Sequence, residues 1–517
     1  MSELNSVSRR TFVSSAAAGA ALAGVACAGL AQADEAKDDA KTSDYADRVT
    51  ETVDVDIVVL GSGVSGLAAA NEAAELGANV LVLESQDDLG GNATMIVDVF
   101  GIDSSMQKAE GIEIDLMEVV NNEIEAFCYQ VDSQRWVDML KNSGDNIDWL
   151  IEKGVEFSEV YNKTASNDLK ATHRLKVNGG YAEPMVNAAK ESGVEFRLNT
   201  AGKELILKDG KVVGVYAETE DGVLQVNAGA VIVATGGYGT NKEMIESRLR
   251  TDMDHNLQVS RPGHDGDGIL MSVAAGAKDL TISSPVFMVY PVVYDTGFVS
   301  ICLTEQGPLL WVNQDGVRFV REDVGLIQPG YRQLATSSQK VSYGVANIDV
   351  LNIFEAETQT MTPDGSGVIE AFDALVEKGA DNMFKADTIE ELAEIAPVDA
   401  ETFIQTVKDY NALCDAGEDT QYRKSADQLV KLENGPFYLF RWDMYFTATV
   451  NGVHTSRKAE ALTSQEEPIP GLYVVGLDGC ELYSIFYTLS AGGSCNANNV
   501  NSGRTAAREA CATLGIA

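Results

Sequence analysis

Residues Val55–Glu84, VDIVVLGSGVSGLAAANEAAELGANVLVLE, constrain this chain more than any other stretch, because strand, glycine turn, helix, strand and terminal acid follow in one register. Val55–Leu60 is a short apolar run suited to a buried parallel strand. Gly61, Gly63 and Gly66 come next in G-x-G-x-x-G order. The first makes the tight turn, the second lets the backbone approach a pyrophosphate, and the third lets the helix sit close against the strand. Val64–Leu76 has the small and apolar residues of that helix, so its N-terminal N–H groups would face phosphates. A second strand, Asn79–Leu83, ends in Glu84, whose carboxylate can accept hydrogen bonds from ribose hydroxyls. A glycine-rich turn in an ordinary α/β protein would leave that acid unexplained. The stretch reads as a dinucleotide-binding βαβ unit.

A chain of 517 residues, 45% hydrophobic, is too long for one small domain and can bury a large core. Its net charge of −40 argues against nucleic acid or an anionic membrane surface as partner. Ser8-Arg9-Arg10-Thr11-Phe12-Val13 is a twin-arginine motif, followed by a weakly apolar Ala/Gly-rich stretch and an A-x-A site at Ala31-Gln32-Ala33. Residues 1–33 therefore read as an export signal, with a chance Arg-Arg as the competing reading, and 34–51 as a polar linker. Export by this route places the protein in the periplasm or on the outer face of the cell membrane. It carries folded proteins, which suits a cofactor loaded beforehand. None of the seven cysteines forms C-x-x-C or C-x-x-C-H, so no iron–sulfur or attached haem pattern is present. The four scattered histidines give no zinc pattern, and no metal site is expected.

Further pieces of an α/β fold recur. Glu204–Leu207 and Val212–Glu218 flank the turn 208–211 as a hairpin, and Ala230–Ala234 is a buried strand running into Thr235-Gly236-Gly237. Gly266-Asp267-Gly268 opens a helix, Gly471–Gly476 is a strand followed by Asp478-Gly479, and Gly492-Gly493-Ser494 precedes a last helix from Asn496 to about Leu514. Thr388–Ile395 and Asp399–Asn411 read as helices.

With these motifs in order, the chain resembles the FAD-dependent fumarate-reductase/succinate-dehydrogenase flavoprotein superfamily, in its soluble exported branch. That branch includes flavocytochrome-type fumarate reductases, urocanate reductase and 3-ketosteroid dehydrogenases. The resemblance rests on GSGVSG with Glu84, LGGN at Leu89–Asn92, ATGG at Ala234–Gly237, GDGILM at Gly266–Met271, NQDGVRF at Asn313–Phe319 and GLYVVG at Gly471–Gly476. It implies an α/β fold: a Rossmann-like FAD-binding domain, residues 52–280 and 436–517, with an inserted α+β capping domain, 281–435. It implies noncovalent FAD, with Gly61, Ser62, Gly63, Ser65, Gly66, Glu84 and Ser85 on the ADP half and Gly91, Asn92 and Ala93 along the pyrophosphate and flavin. Ala234, Thr235, Gly236 and Asp267 would contact the dinucleotide. Asp478, Gly493 and Ser494 would reach the ribityl chain or flavin ring, where a helix N-terminus stabilises the negative charge of a reduced flavin.

The family's fumarate reductases grip a carboxylate with two histidines and an arginine and use a second arginine as acid. Here the corresponding positions read Tyr290, Ala448 and Ser490, so a small dicarboxylate is not the expected substrate. Tyr290, Tyr483 and Tyr487 take up that space and can donate to a carbonyl or stack on an aromatic substrate; alternatively Tyr483 and Tyr487, at i and i+4, pack on one helical face. The acid's slot falls on Leu326 without a gap, or on Arg332 with a short insertion; a surface loop is the competing reading for Arg332. Arg318 and Glu322, in the RFxxE pattern, would brace the cap.

The leading reading is thus reduction of an activated C=C bond in a non-fumarate small molecule. Lacking haem, the chain would draw electrons from a separate donor, a membrane cytochrome or FMN carrier. A ketosteroid-type dehydrogenase and a flavin electron-transfer protein without its own substrate are the alternatives.

Overall fold

The computed structural model describes residues 43–163, 168–248, 257–258, 261–283, 285–293, 307–328, 330–357, 367–488 and 490–516, with the backbone alone at 257–258 and 288–290. The twin-arginine motif, the A-x-A site and most of the linker lie outside the described residues. Contacts divide the chain at Asp47; the described part of the first unit, 43–47, is a turn entering a short 3-10 helix. Everything below concerns the second unit.

Its large sheet is built, in chain order, from β1 (Val49–Leu60), β2 (Val80–Leu83), β3 (Glu195–Arg197), β4 (Ala201–Lys208), β5 (Lys211–Thr219), β6 (Gly222–Val233), β7 (Glu460–Leu462) and β8 (Pro468–Val474). The spatial order is β7-β8-β6-β1-β2-β3, with the β4–β5 hairpin attached antiparallel along β6. β8, β6, β1, β2 and β3 run parallel, the arrangement of a Rossmann-like core. Ile57, Val58, Val59 and Leu60 of β1 are all buried, as a strand covered on both faces requires. β1 begins at Val49, six residues before the apolar run; its first half pairs with β6 while its side chains meet solvent.

Helices that matter for the site are α1 (Val64–Glu75), α2 (Leu116–Ala126), α3 (Ser133–Glu152), α4 (Asp267–Ala274), α5 (Tyr331–Ser337) and α6 (Ser494–Leu514). α6 packs along α1 at close range: a Cβ on Gly503 would lie 2.3 Å from the Ser65 carbonyl oxygen. Small residues permit that approach, and charge pins it. Arg504 and Arg508 donate to opposite oxygens of the buried Glu72, at 2.6 and 2.5 Å, while the Arg504 guanidinium also stacks 4.3 Å from the Trp149 ring centroid.

Separate sheets account for the inserted cap. Leu310–Asn313, Ser342–Asn347, Phe437–Arg441 and Met383–Ala386 form an antiparallel four-stranded sheet around a core of its own, which includes Trp311, Phe354, Phe372, Phe403, Tyr438 and Trp442. Phe437–Arg441, beyond the sequence boundary at 435, therefore belongs to this sheet. The helices expected at 388–395 and 399–411 are present as Ile389–Ile395 and Ala400–Ala416. Arg318 braces the cap: it forms fork-like bonds of 2.8 Å to both oxygens of Glu322 and bonds of 3.1 and 2.8 Å to Asp419, all buried, with Lys424 closing the cluster 3.3 Å from Glu322. Two smaller sheets complete the unit: Asp98–Phe100, Lys170–Leu175 and Phe157–Asn162 in one, and Leu257–Gln258, Asp443–Thr449 and Phe287–Val292 in the other.

Candidate active site

The loop between β1 and α1 shows what a dinucleotide needs. Gly61 turns the chain at φ +101°, where a Cβ would lie 2.4 Å from the Ala234 carbonyl oxygen, and a Cβ on Gly66 would lie 2.0 Å from the Gly61 carbonyl oxygen. Gly63, the N-cap of α1, differs: a Cβ there would meet nothing within 4 Å. The first turn of α1 has neither a side-chain cap nor an acidic residue, so its backbone N–H groups are free for an anion. These residues fit the pyrophosphate of FAD.

Glu84 holds the loop's far side. Its Oε2 accepts from the Ser62 backbone N–H at 2.9 Å and the Ser62 hydroxyl at 2.6 Å, and its Oε1 accepts from the Gln86 N–H at 3.0 Å. Ser85 stands beside it, 3.4 Å from Oε1. Ser62 Oγ in turn accepts from Gly90 N–H at 2.9 Å, which ties in the turn carrying Gly91, Asn92 and the fully buried Ala93. A Cβ on Gly91 would come within 4.0 Å of Gly63 Cα, so the two glycine turns face each other. Asn92 Oδ1 accepts from the Arg261 N–H at 2.9 Å, and Ser65 is buried against Gly476.

After β6 the chain passes through Ala234 into Thr235-Gly236-Gly237. Asp478, fully buried, accepts from the Thr235 hydroxyl at 3.0 Å, Gly236 N–H at 3.0 Å and Gly237 N–H at 2.8 Å. Burial raises its pKa while these donors pull it down. Asp478 thus clamps the turn with both oxygens. His264, one of the four histidines whose scatter gives no zinc pattern, is buried under the same turn: its Nδ1 lies 2.7 Å from the Arg261 carbonyl, and a Cβ on Gly236 would sit 2.4 Å from its Cδ2. Asp267, first residue of α4, is ion-paired to Lys203. At the other end of the site Gly493 caps α6, again with no acid in the first turn, and the Ser494 hydroxyl lies 2.8 Å from that of Tyr483.

Between this region and the cap lies an aromatic cluster. Tyr483 and Tyr487 have ring centroids 4.9 Å apart; Phe127 lies 5.9 Å and Trp136 6.1 Å from Tyr483, and Tyr331 of the cap lies 5.5 Å from Phe486. The two tyrosines do not share a helical face, because described residues 481–488 form bends rather than a helix. Arg332, on α5, is 0% exposed, so the surface-loop reading fails, whereas Leu326 is 51% exposed. The neighbouring Gln333 donates to the Tyr487 carbonyl at 3.5 Å. Tyr290 lies in the strand Phe287–Val292 opposite Tyr445; its side chain is outside the described residues. Ala448 is buried.

Sequence reasoning missed Glu123. It is 1% exposed, and Ser490 donates to it at 2.7 Å. Burial pushes its pKa up to about 7, against the lowering pull of the Ser490 and Thr488 hydroxyls. The signal was available: Val119, Val120, Ile124 and Phe127 mark the buried stripe of α2, and Glu123 falls on it. Among the described residues no group of three or more His, Cys, Asp or Glu is placed to hold a metal, five cysteines are free, and no helix is long and apolar enough to cross a membrane.

This architecture, a Rossmann-like sheet with a glycine turn leading into a helix without a side-chain cap, and a separate antiparallel cap sheet, defines an FAD-dependent oxidoreductase. The chain belongs to the FAD binding domain family, which matches residues 56–494. It is 31% identical over 485 residues to a vinyl phenol reductase of Lactiplantibacillus plantarum, covering 88% of this chain and 96% of that one. Among solved structures, the open conformation of a flavocytochrome c3 fumarate reductase superposes with a TM-score of 0.67 at 25% identity, covering 90% of this chain and 79% of that one. A 3-ketosteroid-Δ4-(5α)-dehydrogenase from Rhodococcus jostii RHA1 shares the fold, with a TM-score of 0.67 at 24% identity, covering 89% and 98%.

Proposed function

We propose that this FAD-dependent oxidoreductase, an enzyme acting on CH–CH groups, reduces the C=C bond of a neutral, aromatic alkene of the vinyl phenol type. The observation that carries this reading is the cluster of Phe127, Trp136, Tyr331, Tyr483, Phe486 and Tyr487, with a buried acid, Glu123, one helical turn from Phe127 and bonded to Ser490, where a carboxylate-binding enzyme needs cations. The vinyl phenol reductase relative, matched over nearly its whole length, supports the same class.

FAD binds noncovalently, its ADP half against Gly61, Ser62, Gly63, Ser65, Gly66, Glu84 and Ser85, its pyrophosphate and flavin along Gly91, Asn92, Ala93, Ala234, Thr235, Gly236 and Asp267, and its ring end near Gly493 and Ser494. Bound and reduced, FAD supplies a hydride. The chain's own residues do the rest. The cap and the aromatic cluster exclude water; Tyr290, Tyr483 and Tyr487 orient the ring; Arg332, fully buried and therefore recharged through a proton relay, delivers the proton. Asp478 acts through the turn it clamps. Asp478→Ala would strand the buried Gly237 N–H, at roughly 1–3 kcal/mol, and leave the half-buried Gly236 N–H and Thr235 hydroxyl without their acceptor. The expected result is FAD that dissociates on dilution at least ~10-fold more readily, read from the rise in free-flavin fluorescence.

The twin-arginine segment, Ser8–Val13, exports the folded holoenzyme to the periplasm or the outer face of the cell membrane, and a membrane cytochrome or FMN carrier delivers electrons. The test is reduced-viologen oxidation against 4-vinylphenol, aryl acrylates, enones and fumarate. Turnover of 4-vinylphenol at least ~100-fold above fumarate is expected. Turnover of fumarate alone would sink the reading, and dehydrogenation of a saturated ketosteroid with an artificial acceptor, without reductase turnover, would replace it.

A further inference from the structure

We propose that Glu123 is the base that takes the phenolic proton of the substrate while its vinyl group is reduced, a role that rests on the vinyl phenol reading above. Glu123 differs from the other buried acids among the described residues. Glu72 pairs with Arg504 and Arg508, Glu322 and Asp419 with Arg318, Asp323 with Arg321, Asp443 with Arg441 and Asp98 with Lys163. Glu84 and Asp478 accept backbone N–H groups. Glu123 has hydroxyls only: its Oε1 accepts from Ser490 at 2.7 Å, and its Oε2 is buried with no hydrogen-bond partner. A buried carboxylate oxygen left so is costly, and a ligand O–H would satisfy it.

The position suits a phenol. Phe127, the C-cap of α2 one turn beyond Glu123, packs on Tyr483 and Phe486. From the cap, Gln328 reaches Ser490 Oγ at 3.5 Å and Tyr331 packs on Phe486. Glu123 therefore sits where the cap, α2 and residues 483–488 and 490 meet, at the edge of an aromatic wall.

The chemistry requires such a base. The alkene of a vinyl phenol is electron-rich and resists hydride until the ring drains it. When the O–H bond breaks toward a base, its electron pair forms C=O; the displaced ring and vinyl electrons form a C–H bond at the terminal carbon, using the proton from Arg332. The product is a quinone methide, CH3–CH=C6H4=O, electrophilic at the benzylic carbon. Addition of the hydride there, with two electrons, restores the ring as a phenolate, which recovers its proton from Glu123. The sum is one hydride and one proton added to the C=C bond. A carboxyl held near neutrality can both take and return that proton.

The titratable and charged groups on the surrounding elements leave this carboxyl to the substrate. Tyr483 spends its hydroxyl on Ser494, Arg135 of α3 turns to Glu481 and Thr455, Lys163, packed against Gly492, pairs with Asp98, and Tyr487, Tyr331 and Arg332 stand on the C-terminal segment and cap. No Lys or Arg among the described residues is ion-paired to Glu123.

The experiment uses the FAD-loaded full chain with Glu123→Gln and Ser490→Ala. Calorimetry on the oxidised enzyme compares 4-ethylphenol with 4-ethylanisole, neither of them reducible. Wild type should prefer the phenol by at least ~10-fold, and Glu123→Gln should lose the preference. With 4-vinylphenol, kcat/KM should rise through about pH 7 as Glu123 ionises. That limb should vanish in Glu123→Gln and move to higher pH in Ser490→Ala, which removes a hydrogen bond that lowers the pKa. Glu123→Gln with the phenol preference and pH limb intact, or Ser490→Ala with an unmoved limb, overturns the role of Glu123 while leaving the substrate reading standing. Wild type that neither binds 4-ethylphenol nor reduces 4-vinylphenol overturns both.

Discussion

Gly66→Ala should yield a colourless protein with a depressed melting temperature, whereas Gly63→Ala should melt like wild type and still lose FAD. The added methyl at Gly66 would sit 2.0 Å from the Gly61 carbonyl oxygen, a backbone atom that cannot move unless β1 and α1 separate. Overpacking of this kind costs typically ~1–3 kcal/mol and occasionally more, and here it opens the turn that the pyrophosphate needs. At Gly63 the methyl would meet no protein atom within 4 Å, and the backbone already has φ −72°, which alanine adopts freely. Only the approach of a phosphate is obstructed. FAD affinity should fall at least ~100-fold in both variants. The melting curves of the apo forms separate the two causes. Equal melting losses would show that Gly63 is structural and move the pyrophosphate elsewhere.

The cap supplies the second large effect. Arg318→Met would leave the buried carboxylates of Glu322 and Asp419 with Lys424 alone, and breaking a buried ion pair from one side costs about 3–5 kcal/mol. Calorimetry should show a cap transition split from, and below, that of the FAD-binding core. The acid side of the stability curve gives an independent reading. Burial raises the Asp419 pKa, but hydrogen bonds from Arg318 and from the Lys424 and Tyr422 N–H groups outweigh it and hold the group well below the usual carboxylate range. Its contribution is therefore fully present above about pH 4, the ordinary Asp value, and is lost as pH falls through the depressed native pKa. Arg318→Met should weaken that acid-dependent loss. A single transition with an unchanged acid limb would show that the cluster carries no net stability.

Much of the FAD half was legible because its determinants are local. A strand, three glycines, a helix and an acid within one short span dictate both the turn and the ligand face, and β1, α1, β2 and Glu84 stand where periodicity and spacing put them. The long-range half was not. Ser490 and Glu123 are 367 residues apart, and Asp478 clamps Gly237 across 241. Hydrogen bonds of that reach leave no periodic trace. Tyr483 and Tyr487 show the opposite error: their spacing suits a helix, yet the segment is irregular and the rings meet through tertiary packing. His264 was legible as a residue but not as a neighbour, since only the fold puts its ring under Gly236.

The α1–α6 contact sets an order of events in folding. α6 ends at Leu514, and its Gly503 and Arg504 lie against Ser65 and Glu72 of the helix that faces the phosphates. The nucleotide helix therefore lacks its backing until residues 494–514 have folded onto it, so the FAD face of α1 is completed only by the docking of α6.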